Sequence, residues 1–133
     1  MDYKECLERV EKAIQQLKDL NVKIPIIVEG EKDVEALRLL GMIGIVIPLH
    51  TGKELANFCD AIALQYNEII LLTDWDRKGW SLTKAIERNL SGRSKCITDF
   101  RLIFAKNMSV KNTEGIPSYL EKLKTRLGKN KRE

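Results

Sequence analysis

A chain of 133 residues, 44% hydrophobic and 32% charged, suits one soluble domain, and 23 Lys and Arg against 19 Asp and Glu leave a net charge of +4 that mildly favours a polyanionic partner. No apolar run is long enough to span a bilayer, and the N-terminus MDYKECLERVEKAIQQL lacks the continuous apolar stretch of a secretory signal, so the cytoplasm is the expected compartment. The three cysteines, Cys6, Cys59 and Cys96, are odd in number and form no CxxC pair, which excludes a disulfide framework or zinc cluster and predicts buried free thiols.

Residues 2–20 predict an amphipathic helix, because Tyr3, Leu7, Val10, Ile14 and Leu17 recur at three- and four-residue intervals. Ile24–Glu29 predicts the first strand, with Pro25 near its start. Glu31–Leu40 predicts a helix that Gly41 caps, and Ile43–Ile47 a second strand ended by Pro48. His50-Thr51-Gly52 reads as a loop before a helix over Lys53–Leu64, which puts Leu55, Phe58, Cys59 and Ile62 on one face. Glu68–Thr73 predicts the third strand and Trp80–Leu90 the helix after it. Lys95–Phe104 predicts a fourth strand, exposed or at an edge because of Asp99 and Arg101. Pro117–Leu127 predicts the last helix, followed by a frayed basic tail over 128–133.

Strands alternating with helices every 20 to 25 residues or so are the signature of βαβ units. The expected fold class is therefore α/β: a single three-layer α/β/α domain over residues 1–133, with a central, mostly parallel four-stranded sheet and no linker or internal repeat.

The informative residues are acids at strand ends. Ile69-Ile70-Leu71-Leu72 reads as a buried parallel strand, and Thr73-Asp74-Trp75-Asp76-Arg77-Lys78-Gly79 follows it. Glu29 follows the first apolar run, Ile26-Ile27-Val28. Ligands of open α/β sheets bind at the carboxyl ends of the strands. Glu29 can meet Asp74 and Asp76 only if the first and third strands are neighbours, an arrangement that doubly wound sheets often adopt. Three carboxylates at one sheet edge repel one another unless a hard cation such as Mg²⁺ sits among them. Beside the other acids, Glu29 is expected to hold its proton more tightly without metal, which would poise it for proton transfer. Gly30 and Gly79 each follow an acid and are expected to permit a tight turn or close approach.

These residues resemble a known family. Val28-Glu29-Gly30-Glu31-Lys32-Asp33-Val34-Glu35-Ala36-Leu37 is similar to the first motif of the Toprim domain, and Thr73–Gly79 resembles its second, Asp-x-Asp followed by Gly. The resemblance spans roughly residues 22–105 and points to the small stand-alone archaeal Toprim proteins. It implies Mg²⁺-dependent phosphoryl or phosphodiester chemistry on RNA or DNA, with Mn²⁺ as a substitute. By the same resemblance Glu29 would be a general acid/base or metal ligand, and Asp74 a metal-binding catalytic residue. Asp76 would join them on the metal. Lys32, Lys53, Arg77 and Lys78 would contact nucleic-acid phosphates.

Structural readings stand beside these. Asp76 is also a candidate helix N-cap, and Glu29 a loop acid. Asp33 either joins the site or only favours the positive end of its helix. Trp75 either packs or stacks on a base. Arg77 and Lys78 also fit a solvated helix start, as His50 fits polar filler and the basic tail a solvated end.

Other α/β sites are absent from the sequence. There is no GxxxxGK[ST], no GxGxxG and no Ser/His/Asp set, and the single His50 rules out a His-rich metal site within one chain. The chain is too small for a primase's accessory parts, and Tyr3, Tyr66 and Tyr119 lack the context of a topoisomerase tyrosine. The expected function is a Mg²⁺-dependent, nuclease-like enzyme. The alternative is a non-catalytic nucleic-acid-binding subunit of an RNA- or DNA-processing complex.

Overall fold

The computed structural model describes residues 2–49 and 54–132, so His50 and Lys53 lie outside it. Helix α1 (Tyr3–Asn21) starts at Asp2, whose side chain accepts the N–H groups of Lys4 and Glu5 at 3.0 and 3.3 Å. Its buried residues Cys6, Val10, Ala13, Ile14 and Leu17 form one stripe, as their spacing requires. Strand β1 (Ile26–Val28) leads to helix α2 (Glu31–Leu39), strand β2 (Val46–Pro48) and helix α3 (Leu55–Gln65). Strand β3 (Glu68–Leu71), helix α4 (Arg77–Leu90) and strand β4 (Lys95–Ile97) follow. Helix α5 (Asp99–Asn107), a 3₁₀ turn (Thr113–Gly115) and helix α6 (Ile116–Arg132) complete the order.

The strands lie in the order β2-β1-β3-β4, and every pairing is parallel. The expected α/β class with a four-stranded sheet is therefore what the chain forms. Strands β1 and β3 are neighbours, with Ile26 opposite Ile70 and Ile27 opposite Leu71. The Leu72 N–H donates to the Ile27 carbonyl at 2.8 Å. The two strands consequently end side by side, and the chain segments carrying Glu29 and Asp74 leave the sheet at one edge.

Side chains alternate across the sheet with a period of two. Ile26, Val28, Ile70 and Leu72 pack with Leu17, Leu37, Phe104 and Leu120 of α1, α2, α5 and α6. Ile27, Ile69 and Leu71 face the other way, onto Phe58, Cys59 and Ile62 of α3 and Ile86 and Leu90 of α4. All seven of these residues, six in the strands and Leu72 just after β3, are fully buried, which is why both runs are apolar without interruption.

Several boundaries differ from expectation. The fourth strand ends at Ile97, and residues 99–107 are helical. A helix buries Phe100, Arg101, Phe104 and Asn107 on one side, whereas a strand would have left Arg101 outside. Helix α4 begins at Arg77 rather than Trp80, because Asp76 caps it. Strand β2 starts at Val46 instead of Ile43, and Pro48 lies within it at the sheet edge, where a missing N–H is tolerated. Helix α6 continues to Arg132, so the basic residues expected in a frayed tail extend a helix. Cys6 and Cys59 are buried free thiols, while Cys96 is half-buried.

Candidate metal and phosphate site at the sheet edge

Glu29 leaves β1 nearly buried, at 9% exposure, and turns toward β3. Its Oε2 accepts the backbone N–H of Asp74 at 2.8 Å, which ties the two strand ends together. Gly30 has φ −146°, an extended conformation open to any residue, so the expected glycine-dependent turn is not needed there. Its N–H donates to Asp33 Oδ2 at 3.1 Å, and Asp33 Oδ1 accepts the N–H of Glu114 at 2.9 Å. Asp33 thus starts α2 and fastens the 3₁₀ turn to it.

The β3 end is held from two sides. The buried Thr73 hydroxyl donates to the Gly79 carbonyl at 3.0 Å and shares a 2.6 Å hydrogen bond with Thr83. From α5, Arg101 Nε donates to the Thr73 carbonyl at 3.0 Å and Nη2 to the Asp74 carbonyl at 2.7 Å. Asp76 Oδ1 accepts the Gly79 N–H at 2.7 Å and caps α4. Gly79 is required for packing: a Cβ there would overlap the Asp74 carbonyl oxygen. Trp75 points away from the acids. Its indole N–H donates to the Val110 carbonyl, its backbone N–H to the Lys111 carbonyl at 2.8 Å, and its ring packs 5.7 Å from Phe104.

Among the described residues, the Asp74 carboxylate accepts no hydrogen bond. Burial pushes its pKa up, and Glu29, Asp33, Asp76 and Glu114 push it further, to about 7. Burial pulls the Arg101 guanidinium below its ordinary value, while Asp76, Glu29 and Asp74 favour its charged form. Glu29, Asp74 and Asp76 therefore share one electrostatic field.

The donors present are hard oxygens, which suit Mg²⁺. No three His, Cys, Asp or Glu side chains among the described residues are arranged to enclose an ion. Mg²⁺ does not need such a cage, since it takes one or two carboxylates and keeps several waters. The fit lies in Asp74: a carboxyl held near 7 by burial and by its acidic neighbours is a group whose ionisation a divalent cation would favour.

Lys32 is exposed in the first turn of α2, and Arg77 and Lys78 are exposed in the first turn of α4. Both helices begin at this edge. Arg101 and Glu114 belong to the site and escaped sequence reasoning. For Arg101 the available signal was the i, i+3, i+4, i+7 series Phe100, Ile103, Phe104 and Asn107, which is helical. Glu114 reaches the site through a backbone contact 81 residues away in sequence, for which no local signal exists.

Residues 24–107 match the Toprim domain family. The chain belongs to that family. A UPF0292 protein of Methanosarcina barkeri is 34% identical over 132 residues, covering 95% of this Toprim chain and 90% of that protein. A UPF0292 protein of Methanosarcina acetivorans is 36% identical over 136 residues with the same shares, and one of Methanocaldococcus jannaschii is 34% identical over 121, covering 89% and 94%. These relatives are small archaeal proteins, as the motif resemblance implied. Among solved structures, a protein from Aquifex aeolicus is similar at a TM-score of 0.67 and 28% identity, over 77% of this chain and 94% of that one. Toprim membership carries a general association with metal-dependent work on nucleic acid. No helix among the described residues is long and apolar enough to cross a membrane.

Proposed function

We propose that this Toprim chain is a Mg²⁺-dependent enzyme of phosphodiester or phosphoryl transfer on nucleic acid, nuclease-like in its action. The observation that carries the reading is Asp74: a carboxylate that accepts no hydrogen bond among the described residues, raised to about 7 by burial and by the acids around it, on a backbone gripped by Glu29 and Arg101. Asp74 would hold the metal, together with Glu29 Oε1 and Asp76 Oδ2, the oxygens that the Asp74 N–H and the α4 cap leave over. When bound, Mg²⁺ supplies polarisation of a phosphoryl oxygen and acidification of a water. Glu29 Oε1 would serve either on the metal or, in the other role, to take or return a proton, while Oε2 stays on the Asp74 backbone. Lys32, Arg77 and Lys78 meet phosphates at two helix starts, and Lys53 is the sequence candidate for the same task. Mn²⁺ substitutes for Mg²⁺ at such an oxygen site. Free thiols suit a reducing, cytoplasmic setting.

The test is cleavage of end-labelled single-stranded and structured RNA and DNA with Mg²⁺ or Mn²⁺. We expect Asp74→Asn to lower the rate by about a hundredfold or more, the loss typical of a transition-state charge stabiliser. Metal-dependent cleavage that survives Asp74→Asn contradicts the assignment. The alternative is a non-catalytic nucleic-acid-binding subunit whose metal site bridges to phosphates or helps assemble a larger complex. Binding without turnover under all these conditions selects it.

A further inference from the structure

We propose that the outer face of α1, α5 and α6 is a binding track for single-stranded nucleic acid, distinct from the acidic edge and leading to it. The proposal deepens the nucleic-acid reading above and rests on it.

Two cavities lie on this face. One, of about 600 Å³, is lined by Lys106, Lys122 and Arg126 together with Tyr3 and Tyr119. The other, of about 320 Å³, is lined by Arg9, Lys12 and again Lys106. Lys106 lines both, and among the described residues no carboxylate lines either. Composition alone does not lead to this, since the chain carries 19 acids to 23 bases. Another cavity between α1 and α6 has the mixed lining expected, with Lys4 and Lys124 beside Glu8 and Glu11. Arg9 is shared with Glu5 at 3.8 Å, so Lys12, Lys106, Lys122 and Arg126 supply most of the unmatched charge.

The lining is aromatic as well as basic. Tyr3 is 42% exposed, and the Arg126 guanidinium lies 5.3 Å from its ring centroid. Tyr119 is half-buried beside them. Planar guanidinium and phenol groups next to flexible ammonium groups match what a single strand offers, unpaired bases to stack and phosphates to neutralise. A duplex hides its base faces and would use the cations alone.

The track adjoins the site through a shared wall. Met108, Ser109, Val110 and Gly115 line the larger cavity. The Val110 and Lys111 carbonyls are the acceptors for Trp75, and the N–H of Glu114 is held by Asp33. A strand lying in the cavity therefore rests on the segment that the acidic edge itself anchors. Tyr3, Tyr119, Lys122 and Arg126 fall outside residues 24–107, so α1 and α6 add most of the lining to what α5 and Lys106 of the Toprim core supply.

Fluorescence anisotropy tests this with oligouridylate, oligothymidylate and a duplex, each of about 12 nucleotides, in EDTA so that no metal bridges to phosphate. We expect the single strands to bind more tightly than the duplex. Lys122→Glu and Tyr119→Ala should each weaken single-strand binding by about tenfold, with circular dichroism unchanged. The log–log salt slope should be about −3 for four phosphate contacts and should shrink in Lys122→Glu. Wild-type affinity in both variants, or equal competition by polyglutamate, overturns the track. Because no metal is present, the outcome is independent of whether Asp74→Asn stops cleavage, and failure here leaves that result standing.

Discussion

Two strand-to-helix junctions sit side by side at the sheet edge, and each carries a short acid, Asp33 in the first turn of α2 and Asp74 just after β3. Past the β1–α2 turn, in the first turn of α2, Asp33 is 7% exposed and accepts backbone N–H groups from Gly30 and Glu114. In the β3–α4 turn, the Asp74 side chain accepts none among the described residues and is pushed up to about 7. Both are short carboxylates in the same field. The difference teaches that saturation by backbone donors separates an acid that holds the fold from one left for chemistry. Glu29 and Asp76 are intermediate, each with one oxygen engaged by a backbone N–H.

The comparison breaks if the two aspartates respond alike to substitution. Asp33→Ala leaves two backbone donors without their carboxylate, and we expect a loss of about 3 kcal/mol in denaturant unfolding. Arg101→Met removes the donors to the Thr73 and Asp74 carbonyls while keeping much of the side-chain volume, and should cost about 2 kcal/mol in the same assay. Asp74→Asn should have the smallest effect and the opposite sign, a slight stabilisation of the metal-free protein at pH 8.

The sign of that last effect follows from proton linkage. The Asp74 pKa is about 7 when folded against an ordinary 3.8, so between those values the folded protein binds more protons than the unfolded chain. Metal-free stability therefore falls as pH rises from about 4 to about 7, then levels off with respect to this group. Thermal melts in EDTA across that window should show the fall in the parent chain and a flatter profile in Asp74→Asn.

Much of this edge was legible in the sequence because its signals are local. The runs Ile26–Val28 and Ile69–Leu72 mark strands buried on both faces, and an acid after each marks the ligand edge. Adjacency of β1 and β3 followed from the topology that such runs favour. The β4–α5 segment was misread because Lys95–Phe104 satisfies two periods at once. Cys96, Thr98, Phe100, Leu102 and Phe104 alternate, while Phe100, Ile103, Phe104 and Asn107 step as a helix does. Leu102 is 59% exposed, so the helical period won. With the strand reading went Arg101, which only a helix turns inward. The distinction between Asp33 and Asp74 was out of reach for another reason. It depends on a backbone N–H supplied by Glu114, and no sequence periodicity reports a contact made by a distant turn.

Titration calorimetry of the intact chain with Mg²⁺ and Mn²⁺, run in buffers of different ionisation enthalpy between pH 5.5 and 8, tests the central claim most directly. The account predicts that binding releases close to one proton below pH 7, that affinity falls by up to about tenfold per pH unit there, and that Asp74→Asn abolishes both. Metal binding of undiminished strength in Asp74→Asn, with no proton released at any pH, would contradict it.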